Sequence, residues 1–443
     1  MGEHWHLKYF LIAIILKYSN GYRDGCNRFV AKNVGSLNAT FLSSLIDPIK
    51  DKIPVFNEKT VPNLPEIIDD FNEGTSSEDI FLNITQILTK YGYESEQHTV
   101  QTSDGYLLDI FRIPGKGPVV FIMHGILCSS DSFTSTGPAI GLPYLLADLG
   151  YDVWIGNARG TEHGRRHVTL SPDCKEFWQF SWDEIGRYDV PASIDYILDK
   201  TKQKKLAYIG HSQGTTTYFV MTSEFPEYNN KISVMIALSP VSYLSHTQNP
   251  ILPLLSRPIA VEDALLSAIG LYEFFPRNPL TSALTTIACG TEVTATIFCN
   301  NLAFLFVGAD YGQINARILP AFYGHYPAGC GTLQLIHFAQ LINTGRFCQM
   351  DHGTFENLAR YGTARPPDYR LEKITSKIVV FTSDNDVIFS APADREKLIA
   401  RLPNVVEQYR VPYAKFAHMD YLFARDVREL AYDKIVEVLS DYA

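Results

Sequence analysis

The chain has 443 residues, of which 46% are hydrophobic and 19% charged, so it can bury a large core and wholesale disorder is excluded. With 38 basic and 48 acidic side chains the formal net charge is −10, and no Lys/Arg-rich block offers a footprint for nucleic acid. Apolar runs in the body of the chain fall short of the roughly 20 residues that a membrane span needs, so a soluble mature protein with no transmembrane span is expected.

The N-terminus carries a short apolar core, Tyr9 to Leu16, followed by Ser19, Asn20 and Gly21, which reads as a secretory signal peptide over residues 1–21. Residues 22–77 are polar and dotted with proline, and read as a leader or propeptide-like segment. Sequons at Asn38 and Asn83 are the candidate glycosylation sites. There are seven cysteines, an odd number that leaves at least one thiol unpaired in an oxidising compartment. Cys289 and Cys299, close in sequence, are the favoured pair. No Cys-x-x-Cys or His-Glu-x-x-His spacing occurs, and neither a metal nor a cofactor is expected. His163 and His167 lie four apart but sit beside Arg165 and Arg166, and are expected in a solvated basic loop.

From about residue 78 the pattern becomes dense. A short helix is expected over Ile84 to Tyr91, then a hairpin turning at Ser103, Asp104 and Gly105. The apolar run from Pro118 to Met123 reads as a buried parallel strand that meets a glycine turn at His124-Gly125. Strands at Tyr151 to Ile155, Leu206 to Ile209 and Ile232 to Leu238 alternate with helices. That alternation implies an α/β fold with a mostly parallel central sheet flanked by helices, and ligand sites at the carboxyl ends of its strands. Residues 244–365 break the rhythm and read as an inserted, mainly helical cap and lid. The core therefore divides into a first part, 78–243, and a second part, 366–443, which opens with the strand ending at Thr382.

The strand before Ser212 runs straight into Gly210-His211-Ser212-Gln213-Gly214 and a helix. Gly-x-Ser-x-Gly arises by chance in roughly one chain in seven of this length, so the strand-turn-helix setting carries the assignment of Ser212 as nucleophile. Such a serine needs a histidine to take its proton and a carboxylate to hold that histidine, in the chain order Ser, acid, His. Asp386 follows the late strand and is the expected acid, with Asp384 as its competitor. His418 is the single histidine after His352 and is the expected base. Asp420 is expected to support the loop around it. Backbone N–H groups of Ile126 and Gln213 are the expected oxyanion donors, and His124 is expected to shape the oxyanion loop.

These residues resemble the acid lipases typified by gastric and lysosomal acid lipase. The resemblance rests on His124 to Leu127, Gly150 to Gly160, Ser181 to Glu184, Tyr188-Asp189, Gly210 to Thr215, Pro327 to Gly329 and Asn385-Asp386. It implies an α/β-hydrolase fold and a secreted or lysosomal hydrolase of triacylglycerols and/or sterol esters, working at a lipid–water interface. Ser212, Asp386 and His418 fall on the family's triad positions, Ile126 and Gln213 on its oxyanion positions, and Cys289 and Cys299 resemble its cap disulfide. Independently of the resemblance, the apolar stretches at Ile251 to Leu255, Leu265 to Leu271, Phe274-Phe275 and Ile297 to Phe306 suggest an acyl pocket. The competing readings are a carboxylesterase or thioesterase for smaller soluble esters, and a non-catalytic lipid-binding protein on the same fold.

Overall fold

The computed structural model describes residues 78–248, 272–275 and 310–443. The expected signal peptide and leader, Asn38, Cys289, Cys299 and most of the apolar stretches assigned to an acyl pocket lie outside the described residues.

Eleven strands are present among the described residues: β1 Glu96–Gln101, β2 Tyr106–Ile113, β3 Val119–Met123, β4 Asp152–Ile155, β5 Arg166–His167, β6 Leu206–His211, β7 Ile232–Leu238, β8 Glu273–Phe274, β9 Cys330–Gly331, β10 Ile378–Thr382 and β11 Val405–Arg410. Nine form one sheet in the order β1-β2-β4-β3-β6-β7-β10-β11, with β5 paired to β2; β8 and β9 make a separate ribbon. Pairing is antiparallel for β1/β2 and β2/β4, and parallel from β4 through β11.

The physical reason for this layout is visible in burial. Every residue of β3, β4, β6 and β10 is buried, as a strand covered on both faces requires, so these segments are mostly apolar and do not alternate. The edge strand β11 instead alternates half-buried and exposed positions. Helices Ile84–Lys90, Leu142–Asp148, Val190–Thr201, Gln213–Glu224, Pro392–Ile399 and Asp433–Tyr442 accompany the sheet. The hairpin between β1 and β2 turns at Asp104 and Gly105, where Gly105 takes a φ of 99°.

Between β7 and β10 the described residues contain the helices Leu319–His325, Thr332–Thr344 and Thr354–Tyr361. Chain order around the centre of the sheet matters most for function. From β3 the chain moves to β4 on one side and then returns to β6 on the other, so a crevice opens at the carboxyl ends of β3 and β6.

Candidate active site

β6 ends at His211, and the chain reverses through Ser212 into the helix Gln213–Glu224. Ser212 carries φ 53° and ψ −120°, a conformation that costs an L-residue on the order of 1–3 kcal/mol and holds its side chain up at the turn. The flanking glycines make the turn possible. A Cβ on Gly214 would lie 2.3 Å from the Met123 carbonyl oxygen, and one on Gly210 would lie 2.8 Å from the Gly214 carbonyl oxygen. Gly125, on the loop after β3, lets that loop press on the serine, since a Cβ there would fall 2.9 Å from the Ser212 Cβ.

His418 Nε2 lies 2.7 Å from Ser212 Oγ, and His418 Nδ1 lies 2.8 Å from Asp386 Oδ2. A carboxylate only accepts, so Nδ1–H donates to Asp386 and leaves the Nε2 lone pair to accept the serine hydroxyl proton. All three groups are buried, with Ser212 at 5%, Asp386 at 1% and His418 at 2% exposure. Burial pushes the Asp386 carboxyl up, but the charge of His418 and its hydrogen bond outweigh this and hold it below the usual carboxylate range. The Ser390 backbone N–H adds a donor to Oδ1 at 3.3 Å. Asp384, the competing acid, pairs instead with Arg410 at the surface.

The Ile126 and Gln213 backbone N–H groups donate to no group among the described residues. Gln213 opens its helix, where the N–H groups have no partner within the helix and the dipole favours negative charge. Ile126 sits on the loop after β3, next to Leu127, whose φ is 62°. His124 braces this loop: its Nδ1–H donates to the Gly125 carbonyl at 2.7 Å, and its Nε2 accepts from the Ala158 N–H at 3.1 Å. Burial pushes the His124 imidazole down to about 4, so it stays neutral and keeps that donor–acceptor pattern.

Two polar clusters around the site carried no signal in the sequence. Arg159, only 1% exposed, donates through Nε to Asp189 at 2.7 Å and through Nη2 to Asp104 at 2.9 Å, and stacks on the Tyr106 ring at 3.9 Å. This joins the loop after β4 to the β1–β2 hairpin and to the start of the helix Val190–Thr201. His163, expected in a solvated basic loop, is instead turned inward, its side chain 17% exposed and hydrogen-bonded to the buried Asp131. The inward turn has a physical cause: Asp131 also receives His325 at 3.2 Å, and a buried carboxylate draws in the donors its lone pairs lack. Elsewhere, Cys174 is disulfide-bonded to a residue outside the described set, whereas Cys128, Cys330 and Cys348 are free and buried.

A parallel sheet with the serine on a strained turn after β6, an acid after β10 and a histidine after β11 is the arrangement of the α/β-hydrolase fold. A family model described as the α/β-hydrolase fold matches residues 118–275, and one described as a partial α/β-hydrolase lipase region matches residues 84–137. Lipase 1 of Drosophila melanogaster is 41% identical over 363 residues, 82% of this chain and 80% of that protein. The gastric triacylglycerol lipase of Bos taurus is 37% identical over 81% of this chain and 91% of its own length, and that of Homo sapiens 36% over 82% and 92%. The chain belongs to this family of lipases, carboxylic ester hydrolases built on the α/β-hydrolase fold.

Proposed function

We propose that Ser212, His418 and Asp386 hydrolyse lipid esters, triacylglycerols or sterol esters, through an acyl-enzyme. The observation that carries this reading is the unbroken hydrogen-bonded chain from Asp386 through His418 to Ser212, beside two uncommitted backbone N–H groups. Ser212 Oγ attacks the ester carbonyl carbon while its proton passes to His418 Nε2. The carbonyl oxygen becomes an oxyanion held by the Ile126 and Gln213 N–H groups. As the tetrahedral centre collapses, the bond to the alcohol breaks and the alcohol leaves with the proton from Nε2. Water then attacks the acyl carbon, giving its proton to Nε2, and the carboxylic acid departs as that proton returns to Ser212. Asp386 keeps the imidazole in the tautomer that leaves Nε2 free and stabilises the imidazolium that forms.

Lipid substrates are favoured by the names of the relatives, gastric triacylglycerol lipases among them, and by the apolar stretches between residues 244 and 365, which we assign to a cap and lid over the site. A secreted or lysosomal location fits the apolar N-terminal segment and the disulfide at Cys174. No helix among the described residues is long and apolar enough to cross a membrane.

The test is hydrolysis of emulsified trioleoylglycerol, emulsified cholesteryl oleate and a dispersed short-chain ester by the purified protein and by Ser212→Ala. Cleavage of the emulsified esters, falling by on the order of 10³-fold or more in Ser212→Ala, supports the lipase reading. Cleavage of the dispersed ester alone overturns it in favour of a soluble esterase.

A further inference from the structure

Asp310 and Asp420 form a buried carboxyl pair that the hydrolytic chemistry does not use. Both are 2–3% exposed, and each carboxyl lies near enough to the other to shift its ionisation. Asp420 lies two residues beyond His418, and its Oδ2 accepts the Ala417 backbone N–H at 2.6 Å, so it fastens the residue just before the histidine. Asp310 Oδ1 accepts from the Gly312 N–H at 2.9 Å and from the Tyr413 hydroxyl at 3.4 Å. Its Oδ2, buried, meets no hydrogen-bond partner among the described residues.

A buried carboxylate oxygen without a donor is costly, and two ionised carboxyls in contact cost more. Both costs vanish if one proton sits between Asp420 and Asp310, because the protonated acid then donates to Oδ2. The same segment holds the histidine loop by further bonds: Ile314 bridges to Ala424, the Arg425 N–H donates to the Gln313 carbonyl at 3.0 Å, and the Gln313 side chain bonds Asp426 at 2.9 Å. We propose that Asp310 and Asp420 share one proton, and that this proton is the pH-sensitive fastening that ties residues 310–314 to the loop positioning His418.

Burial first, then the charge of Asp310, push the Asp420 carboxyl well above its usual range, and burial raises Asp310 as well. The other groups facing the pair do not replace the proton. Asp386 is an anion and repels a second charge, Tyr413 already donates to Asp310, the Tyr421 hydroxyl hydrogen-bonds to neither carboxyl, and the Arg425 guanidinium reaches the Ile314 carbonyl at 3.5 Å. A folded-state value above the unfolded one means stability that is complete at acid pH and lost as pH rises through the raised value. The loop should therefore loosen on the alkaline side of the pair's titration, and with it the placement of His418. Asp420 and Asp310 act as positioning residues, an inference that rests on the reading of His418 as base.

Asp420→Asn separates the alternatives. Its amide can donate to Asp310 and accept from Ala417 while keeping the pair at one negative charge, so it copies the proton-shared state and cannot lose it. Wild type and Asp420→Asn are compared from about pH 4 to about pH 9 by two readouts: the rate of phosphonylation of Ser212 by an alkyl fluorophosphonate, and hydrogen exchange of residues 411–424 corrected for intrinsic rates. In wild type the phosphonylation rate should fall roughly tenfold as the segment loses protection, and in Asp420→Asn both should hold to within about twofold. Identical alkaline limbs in the two proteins overturn the proposal. An exchange transition that Asp420→Asn removes, with no phosphonylation at any pH, upholds the carboxyl pair and refutes the role of Ser212. Should Asp420→Asn not fold, Asp310→Asn makes the same comparison, its amide donating to an ionised Asp420.

Discussion

His211 donates its Nε2–H to the backbone carbonyl of His418 at 2.9 Å, so the residue before the serine holds the main chain of the residue that contacts it. Burial pushes the His211 imidazole down to about 3, which keeps it neutral, and its buried Nδ1 meets no donor among the described residues. The pairing ties the loop after β11 directly to the end of β6. Replacing His211 with leucine should lower kcat on a dispersed ester by roughly 10- to 100-fold with little change in KM, because a misplaced base affects the chemical step and not binding. Steady-state kinetics check this; a rise in KM at constant kcat would assign His211 to substrate binding instead.

Arg159 sits between Asp104 and Asp189 with almost no solvent contact. Arg159→Leu would fill much of the same volume and leave Asp189, 1% exposed, without its counter-charge. Breaking a buried pair in this way should destabilise the fold by about 3–5 kcal/mol, and denaturant midpoints measure it. The simultaneous change of Asp104 and Asp189 to asparagine in the Arg159→Leu background should recover part of that loss, since no charge is then stranded.

The contact between Asp131 and His163 makes stability depend on pH from both sides. Burial alone would lower the His163 imidazole, but the Asp131 charge and hydrogen bond outweigh it and hold the group above its usual value. Asp131 is in turn held well below the carboxylate range: burial opposes this, and His163 followed by His325 outweigh it. A raised histidine contributes stability that is complete below its unfolded value and lost as pH rises through the folded one. A depressed aspartate contributes stability that is present above its unfolded value and lost as pH falls through the folded one. His163→Gln should therefore lower the melting temperature most in the window between those limits, near pH 5 to 6, and least at alkaline pH. Thermal melts across pH test this, and a uniform loss at every pH would mean that the contact is packing and not charge.

Asn83 caps the helix Ile84–Lys90, its Oδ1 accepting the Gln86 N–H at 2.9 Å while Gln86 Oε1 returns to the Asn83 N–H. Its exposure fits the expected glycan, and the two roles are separable. Thr85→Ala removes the sequon and keeps the cap, so it should abolish the glycan at about constant stability; Asn83→Gln should abolish the glycan and also cost about 1 kcal/mol. Intact-mass measurement after expression in a secreting eukaryotic cell, paired with denaturation, reads both, and an unchanged mass in Thr85→Ala would remove Asn83 from the glycan sites.

Much of this protein was legible from the order of its residues. Apolar runs such as Val119 to Met123 and Ile378 to Phe381 announce strands covered on both faces, because any polar residue there would be buried unpaired. The glycines around Ser212 announce a turn that no other residue could make, and a single late histidine leaves one candidate base. These signals are local or periodic, so a linear sequence can carry them. What only the tertiary structure decided are the pairings between side chains far apart in the chain: His418 on Ser212, 206 residues away, His211 on the His418 carbonyl, Arg159 between Asp104 and Asp189, Asp131 drawing His163 inward, and Asp310 against Asp420. A buried charge or hydrogen-bonding group takes whichever partner the packing of strands and helices brings within about 3 Å, and spacing along the chain does not record that distance.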